Sequence, residues 1–285
     1  MADPRPIGVF DSGVGGLTVL REIVRRTPAE STIYLGDNAR APYGVRTDAE
    51  VLAFSTGALD RLAEADVKTI VVACNTSTAV ALGTFRRRYD MPILGVIRAG
   101  ATAAALATRN GRVGVIATPA TIRSHAYLAA ITSENPAVLV REHATPTLVP
   151  LVEAGSLSGA AVETAVAAAI APVLGATAAS ASATALDEDS TIDTLLLGCT
   201  HYPLLRPIIE RLAGNQVAIV DSATATASAL AELLEVNRLE AESSAVGTHR
   251  QLTTGDADAF HALAQRLFGS AFPDVEHVEL AVPAR

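Results

Sequence analysis

The 285-residue chain has no tryptophan, two cysteines and a single lysine, Lys68. With one lysine, a Schiff base to a carbonyl cofactor has one place to form. Lys68 stands just before an apolar run, on the wrong edge for the polar loops that follow such runs. Two cysteines in a chain with no secretory signature do not make a disulfide framework. Aromatics are 4% of residues, so the core must be built from Ala, Val, Leu and Ile. The most apolar stretch, Ala160 to Leu174, contains Glu163 and Pro172 and is mostly alanine, which argues against a membrane span. Basic residues are outnumbered, giving a formal charge of −8, and this argues against a nucleic-acid surface working by bulk attraction. The start, Met1-Ala2-Asp3-Pro4-Arg5-Pro6, lacks the apolar core of a signal peptide. The expected compartment is the cytoplasm.

What is present is alternation. Strand patterns fall at Ile7 to Phe10, Ser31 to Leu35, Val67 to Ala73, Ile93 to Ile97, Val113 to Ala117, Leu195 to Gly198 and Val217 to Val220. Between them lie helical patterns: Leu17, Leu20 and Val24 mark one face, and Thr47-Asp48-Ala49-Glu50 has the form of a capping box opening a helix toward Glu64. Such alternation predicts βαβ units and a mainly parallel α/β fold. There is also a repeat. Ile7-Gly8-Val9-Phe10-Asp11-Ser12 aligns with Val113-Gly114-Val115-Ile116-Ala117-Thr118, and the two cysteine runs align with each other at a slightly longer offset. The Ala176 to Asp189 stretch, rich in Thr, Ala and Ser, is about the size to absorb that difference and reads as a surface insertion. The architecture expected is two similar open parallel-sheet lobes with the active site in the crevice between them. The first lobe is expected to take residues 1–97 and 208–285, the second residues 98–207.

The cysteines carry the sharpest signal. Thr69-Ile70-Val71-Val72-Ala73-Cys74-Asn75-Thr76 and Thr194-Leu195-Leu196-Leu197-Gly198-Cys199-Thr200-His201 match residue for residue. Each thiol stands just past the carboxyl end of a buried strand, the edge at which open α/β sheets bind ligands. Two thiols facing one crevice suggest an acid/base pair, one for each face of a substrate. The alternatives are small hydrophobes in a core, or zinc ligands together with His201. Cys-Thr-His leaves only one residue between ligands and no second ligand pair accompanies it, so no metal is expected.

Asp11-Ser12-Gly13-Val14-Gly15-Gly16 joins a strand to a helix, yet Thr18 stands where a dinucleotide fingerprint needs its third glycine. What remains is a loop of amides at a helix start, suited to a carboxylate, with Asp11 either at the site or capping the helix. Pro42-Tyr43-Gly44 lies in the loop after the second strand, on the same edge. Ser12, Asn75, Thr76 and Thr200 add hydroxyl and amide donors, and with no Lys or Arg cluster nearby the crevice fits a small zwitterion better than a polyphosphate. Arg98 and Arg123 read equally as helpers or surface residues, and Glu153 as a site carboxylate or a solvated helix residue.

Phe10 to Gly16, the Pro42-Tyr43-Gly44 loop, Ala73-Cys74-Asn75-Thr76 and Leu197-Gly198-Cys199-Thr200-His201-Tyr202-Pro203-Leu204 together resemble the bacterial glutamate racemases of the aspartate/glutamate racemase family. The resemblance runs in order from about Ile7 to the helix after Asp256. It implies cofactor-independent, two-base interconversion of L- and D-glutamate, supplying D-glutamate for peptidoglycan. Cys74 would take the proton from the D-isomer and Cys199 from the L-isomer, with Asp11 supporting Cys74, and His201 and Glu153 beside Cys199. Asp11, Ser12, Tyr43, Gly44, Asn75, Thr76, Thr200 and His201 would hold the substrate. Ala144-Thr145-Pro146 departs from the Cys-Pro found in many relatives. The expected assembly is a homodimer. A racemase acting on another amino acid, such as aspartate, is the first alternative. A non-catalytic binding protein touching DNA gyrase, as some family members are thought to do, is the second, and no residue pattern supports that contact.

Overall fold

The computed structural model describes residues 2–175, 191–269 and 273–280. Among these residues ten strands form two separate sheets, every pair of neighbouring strands parallel. In chain order the first set is β1 (Ile7–Asp11), α1 (Leu17–Arg26), β2 (Thr32–Gly36), α2 (Asp48–Glu64), β3 (Thr69–Val72), α3 (Asn75–Arg88) and β4 (Ile93–Gly95). Next come α4 (Val96–Ala107), β5 (Arg112–Ala117), α5 (Pro119–Arg123), α6 (Ala126–Glu134), β6 (Leu139–Ala144), α7 (Leu148–Glu153), α8 (Ala160–Leu174) and β7 (Thr194–Gly198). The chain ends with α9 (Arg206–Ala213), β8 (Ala218–Asp221), α10 (Ser222–Asn237), β9 (His249–Thr253), α11 (Ala257–Phe268) and β10 (Val275–His277). The Ala176 to Asp189 stretch lies outside the described residues.

Sheet order makes the repeat visible. The second sheet runs β6-β5-β7-β8, and the first contains the same order, β2-β1-β3-β4, extended by β9 and β10 beyond β2. The expected return to the first lobe at residue 208 is therefore too early, because Ala218–Asp221 pairs with β7 in the second sheet. The repeat itself demands this strand: Ala218 follows Cys199 at the spacing by which Ile93 follows Cys74. The expected strand Ile93 to Ile97 is cut short in the same way, since helix α4 begins at Val96.

Each fourth strand is followed by a helix that crosses to the other lobe. Helix α4 packs on β7, β8 and α6, and its Ile97, Ala101 and Ala104 join the second-lobe cluster of Val113, Val115 and Leu196. Helix α10 packs on α1, and its Ala227, Leu230 and Leu234 join Val9, Leu17 and Leu20 of the first lobe. The two crossing helices also pack on each other, which ties the lobes together by buried apolar surface rather than by a linker alone.

Local signals agree with this frame. Helix α2 carries the full capping box, with Thr47 accepting from the Glu50 amide and Glu50 reaching back to the Thr47 amide. Lys68 sits at the start of β3, the sheet edge opposite the crevice, and its ammonium is buried against Glu30 at 2.5 Å and the Asp3 carbonyl at 2.8 Å. The only lysine is thus a structural ion pair.

Candidate active site

Both cysteines stand at the carboxyl edges of strands buried at every position, β3 and β7. Cys74 caps α3: its sulfur accepts from the Ser77 amide at 3.5 Å and lies 3.6 Å from the Ser12 hydroxyl. Cys199 opens the turn into Tyr202–Leu205, with its sulfur 3.7 Å from Nδ1 of His201. The two thiols, 4% and 6% exposed, line one crevice of about 70 Å3 between the lobes. Ser12, Tyr43, Gly44, Asn75, Thr76, Glu153, Thr200 and His201 line it too, so the residues expected at the site converge there with one exception.

The exception is Asp11. It is fully buried behind the wall, where it accepts from the Gly13 amide at 3.0 Å and the Thr200 hydroxyl at 3.4 Å. It braces the loop and its charge acts on Cys74, and alone among the expected substrate contacts it is not part of the crevice lining. Tyr43 also differs in detail, because its hydroxyl is committed to the buried Asp37 carboxylate, so it forms wall rather than a free donor. Arg98 and Arg123 are exposed and outside the crevice, and among the described residues no lysine or arginine lines it.

The lobes meet closely here. A Cβ on Gly15 would fall 2.5 Å from both the His201 ring and the Thr200 hydroxyl, so only glycine lets the first-lobe loop press against the second-lobe turn. Thr18 fastens the contact by donating to the Thr200 carbonyl at 3.1 Å.

Sequence reading missed the Thr118, Thr121 and Thr145 hydroxyls. Thr118 lines the crevice, 2.9 Å from the Thr76 hydroxyl and 3.0 Å from that of Thr121, and Thr145 pairs with Tyr202 at 2.6 Å. The repeat alignment already set Thr118 opposite Ser12, and that was the available signal.

Electrostatics differ on the two sides. Burial pushes the Cys74 thiol up to about 11, with the Asp11 charge adding to it and hydrogen bonds from Ser77 and Ser12 acting the other way. Asp11 is itself pushed up to about 6 by burial, against the pull of the His201 charge and the amides of Gly13 and Gly16. On the far side burial opposes a charged His201, but hydrogen bonds to Cys199 and Glu153 outweigh it and hold the imidazole well above its ordinary value. Geometry agrees: Nε2 lies 2.6 Å from the Glu153 carboxylate and Nδ1 faces the Cys199 sulfur, so both ring nitrogens meet acceptors, as in the doubly protonated ring. Among the described residues no His, Cys, Asp or Glu cluster has the geometry of a metal site.

A family model described as Asp/Glu/Hydantoin racemase matches residues 7–230. The chain belongs to that family. It is 45% identical over 260 residues to a glutamate racemase of Shouchella clausii, covering 91% of this chain and 89% of that one. The crystal structure of a glutamate racemase isoform from Bacillus anthracis matches with a TM-score of 0.87 at 38% identity, covering 99% of each chain. That of Francisella tularensis glutamate racemase in complex with D-glutamate matches with a TM-score of 0.84 at 32% identity, covering 97% of this chain and 98% of that one. The doubled sheet and the paired thiols are thus described in a chain with racemase relatives along nearly its whole length.

Proposed function

We propose that this chain is a glutamate racemase that interconverts L- and D-glutamate with two thiol bases and no cofactor, providing D-glutamate for peptidoglycan. One observation carries the reading: two buried thiols at matching strand ends meet in one crevice whose polar lining is hydroxyls, the Asn75 amide and the His201–Glu153 pair. Removing a weakly acidic α-proton needs a base on one face, and inverting the centre needs an acid on the other. Two monoprotic groups on opposite walls meet both demands.

In the D-to-L direction Cys74 abstracts and Cys199 donates; in the L-to-D direction the roles exchange. A thiol near 11 is not a base at neutral pH, since the thiolate is the reactive form. A bound zwitterion changes this, because its ammonium displaces solvent with positive charge and favours the thiolate and the Asp11 carboxylate together. Cys199 works beside the His201–Glu153 pair, with Nδ1 of His201 3.7 Å from its sulfur and Nε2 2.6 Å from the Glu153 carboxylate. The amides opening α3 and the hydroxyls of Ser12, Thr76 and Thr200 hold the carboxylates, and steady the negative charge that develops as the α-proton leaves.

No helix among the described residues is long and apolar enough to cross a membrane, and the proposal places the enzyme in the cytoplasm as a homodimer. The test is the loss of circular dichroism of L-glutamate with purified protein, alongside L-aspartate and with exhaustive chelation. Racemisation of glutamate that chelator leaves unchanged is expected. Loss of activity on chelation with recovery on zinc, or preference for aspartate, would overturn the reading.

A further inference from the structure

Asn75 is 3% exposed and lines the crevice, yet its side-chain Nδ2 has no hydrogen-bond partner within the protein. Leaving a buried donor unpaired is costly unless something else uses it. Its other end is fully engaged. Asn75 Oδ1 lies 2.5 Å from the hydroxyl of Tyr127, a completely buried residue of α6 in the opposite lobe.

The direction of that bond follows from its partners: an amide oxygen only accepts, so Tyr127 donates to Asn75, which holds the carboxamide with its oxygen on the tyrosine and leaves its NH2 as the end without a protein partner. The ring has little freedom to move, since a Cβ on Gly198 would come within 2.9 Å of it, directly beside Cys199. Two elements from opposite lobes meet at one amide: α6 and the first turn of α3.

We infer that Tyr127 is a positioning residue, whose hydroxyl holds the Asn75 carboxamide so that its NH2 donates to a substrate oxygen across the lobe boundary. The inference deepens the glutamate reading and rests on it for its substrate. A freely rotating amide would present its oxygen to an anionic substrate part of the time and repel it. The held amide presents only donors.

Tyr127→Phe keeps the ring and removes the hydroxyl. The expected result is a rise in KM of about tenfold for both enantiomers, with kcat within about threefold, as for one lost buried hydrogen bond. In an Asn75→Ala background the same change should raise KM no further, since there is no amide left to hold. An equal rise in both backgrounds, or none in either, overturns the inference while leaving a glutamate-active wild type intact. The side-chain 15N–1H2 resonance of Asn75 gives a readout without substrate. It should move in Tyr127→Phe, and an unmoved resonance overturns the inference whatever the substrate proves to be.

Discussion

Cys74 and Cys199 hold the same place in two sheets of the same strand order, but their surroundings carry opposite charge. Behind Cys74 is a buried carboxylate, Asp11, at the end of β1; the matching residue at the end of β5 is Ala117. Beside Cys199 is the His201 cation held by Glu153, and the residue matching His201 after Cys74 is Thr76. The duplicated fold supplies two thiols, and each lobe sets different ionisable groups beside its own. On the proposed mechanism, this difference means that the two proton transfers follow unlike routes. Because enantiomers are equal in free energy, kcat/KM must nevertheless be the same in both directions for the wild type and every variant. The asymmetry has to be sought in half-reactions.

The largest effect should come from removing either thiol. Cys74→Ser and Cys199→Ser should each slow racemisation by about 10³-fold or more, because a hydroxyl is a far weaker acid and base. The near-isosteric change should leave folding intact, which thermal unfolding checks. Elimination of chloride from 3-chloroglutamate needs one base, so Cys74→Ser should keep activity on the L-analogue and Cys199→Ser on the D-analogue. A single serine variant that racemises glutamate near the wild-type rate would reduce that cysteine to packing.

Removing the helpers separates the faces more finely. His201→Asn should slow elimination from the L-analogue by about 10²-fold and from the D-analogue by less than about threefold, with Asp11→Asn giving the reverse pattern. Equal losses on both analogues would dissolve the comparison. The pH profile of D-analogue elimination should fall below about pH 6 as the Asp11 carboxylate takes up a proton. That acid limb should be missing from Asp11→Asn and from the L-analogue profile.

The smallest effect is on stability, and its sign is opposite. Burial raises the Asp11 value from 3.8 to about 6, so the folded state binds a proton more tightly than the unfolded chain. The ionised group opposes folding above pH 6, by roughly 2 to 3 kcal/mol, and this penalty disappears as pH falls below 4. Asp11→Asn removes the charge and one of the acceptors, so it should gain about 1 kcal/mol at pH 8 and no advantage near pH 4. Denaturant melts at the two pH values decide it.

The sequence made the thiols and their strands legible because buried parallel strands read as unbroken apolar runs, and both runs end in the same pattern. Edge strand β6 (Leu139–Ala144) escaped notice, as the exposed Arg141 and the half-buried Glu142 and His143 break the apolar signal. Tyr127 and Asp11 show the limit for the site. A tyrosine on an alanine-rich helix carries no mark of the amide it touches in another lobe. An aspartate at a strand end reads the same whether its carboxylate faces a ligand or the loop behind it. The lobe boundary was misread although the β8 spacing was present, since a helix that crosses between lobes leaves no trace in local composition.

The central claim, one monoprotic thiol on each face, is tested most directly by racemising L-glutamate in D2O and stopping at low conversion. The account predicts deuterium at Cα in nearly all the D-glutamate formed, and protium retained in the recovered L-glutamate, because the abstracted proton stays on one wall and the donated one comes from the other. D-glutamate carrying the original protium would mean that a single group moves the proton across the face, and would contradict it.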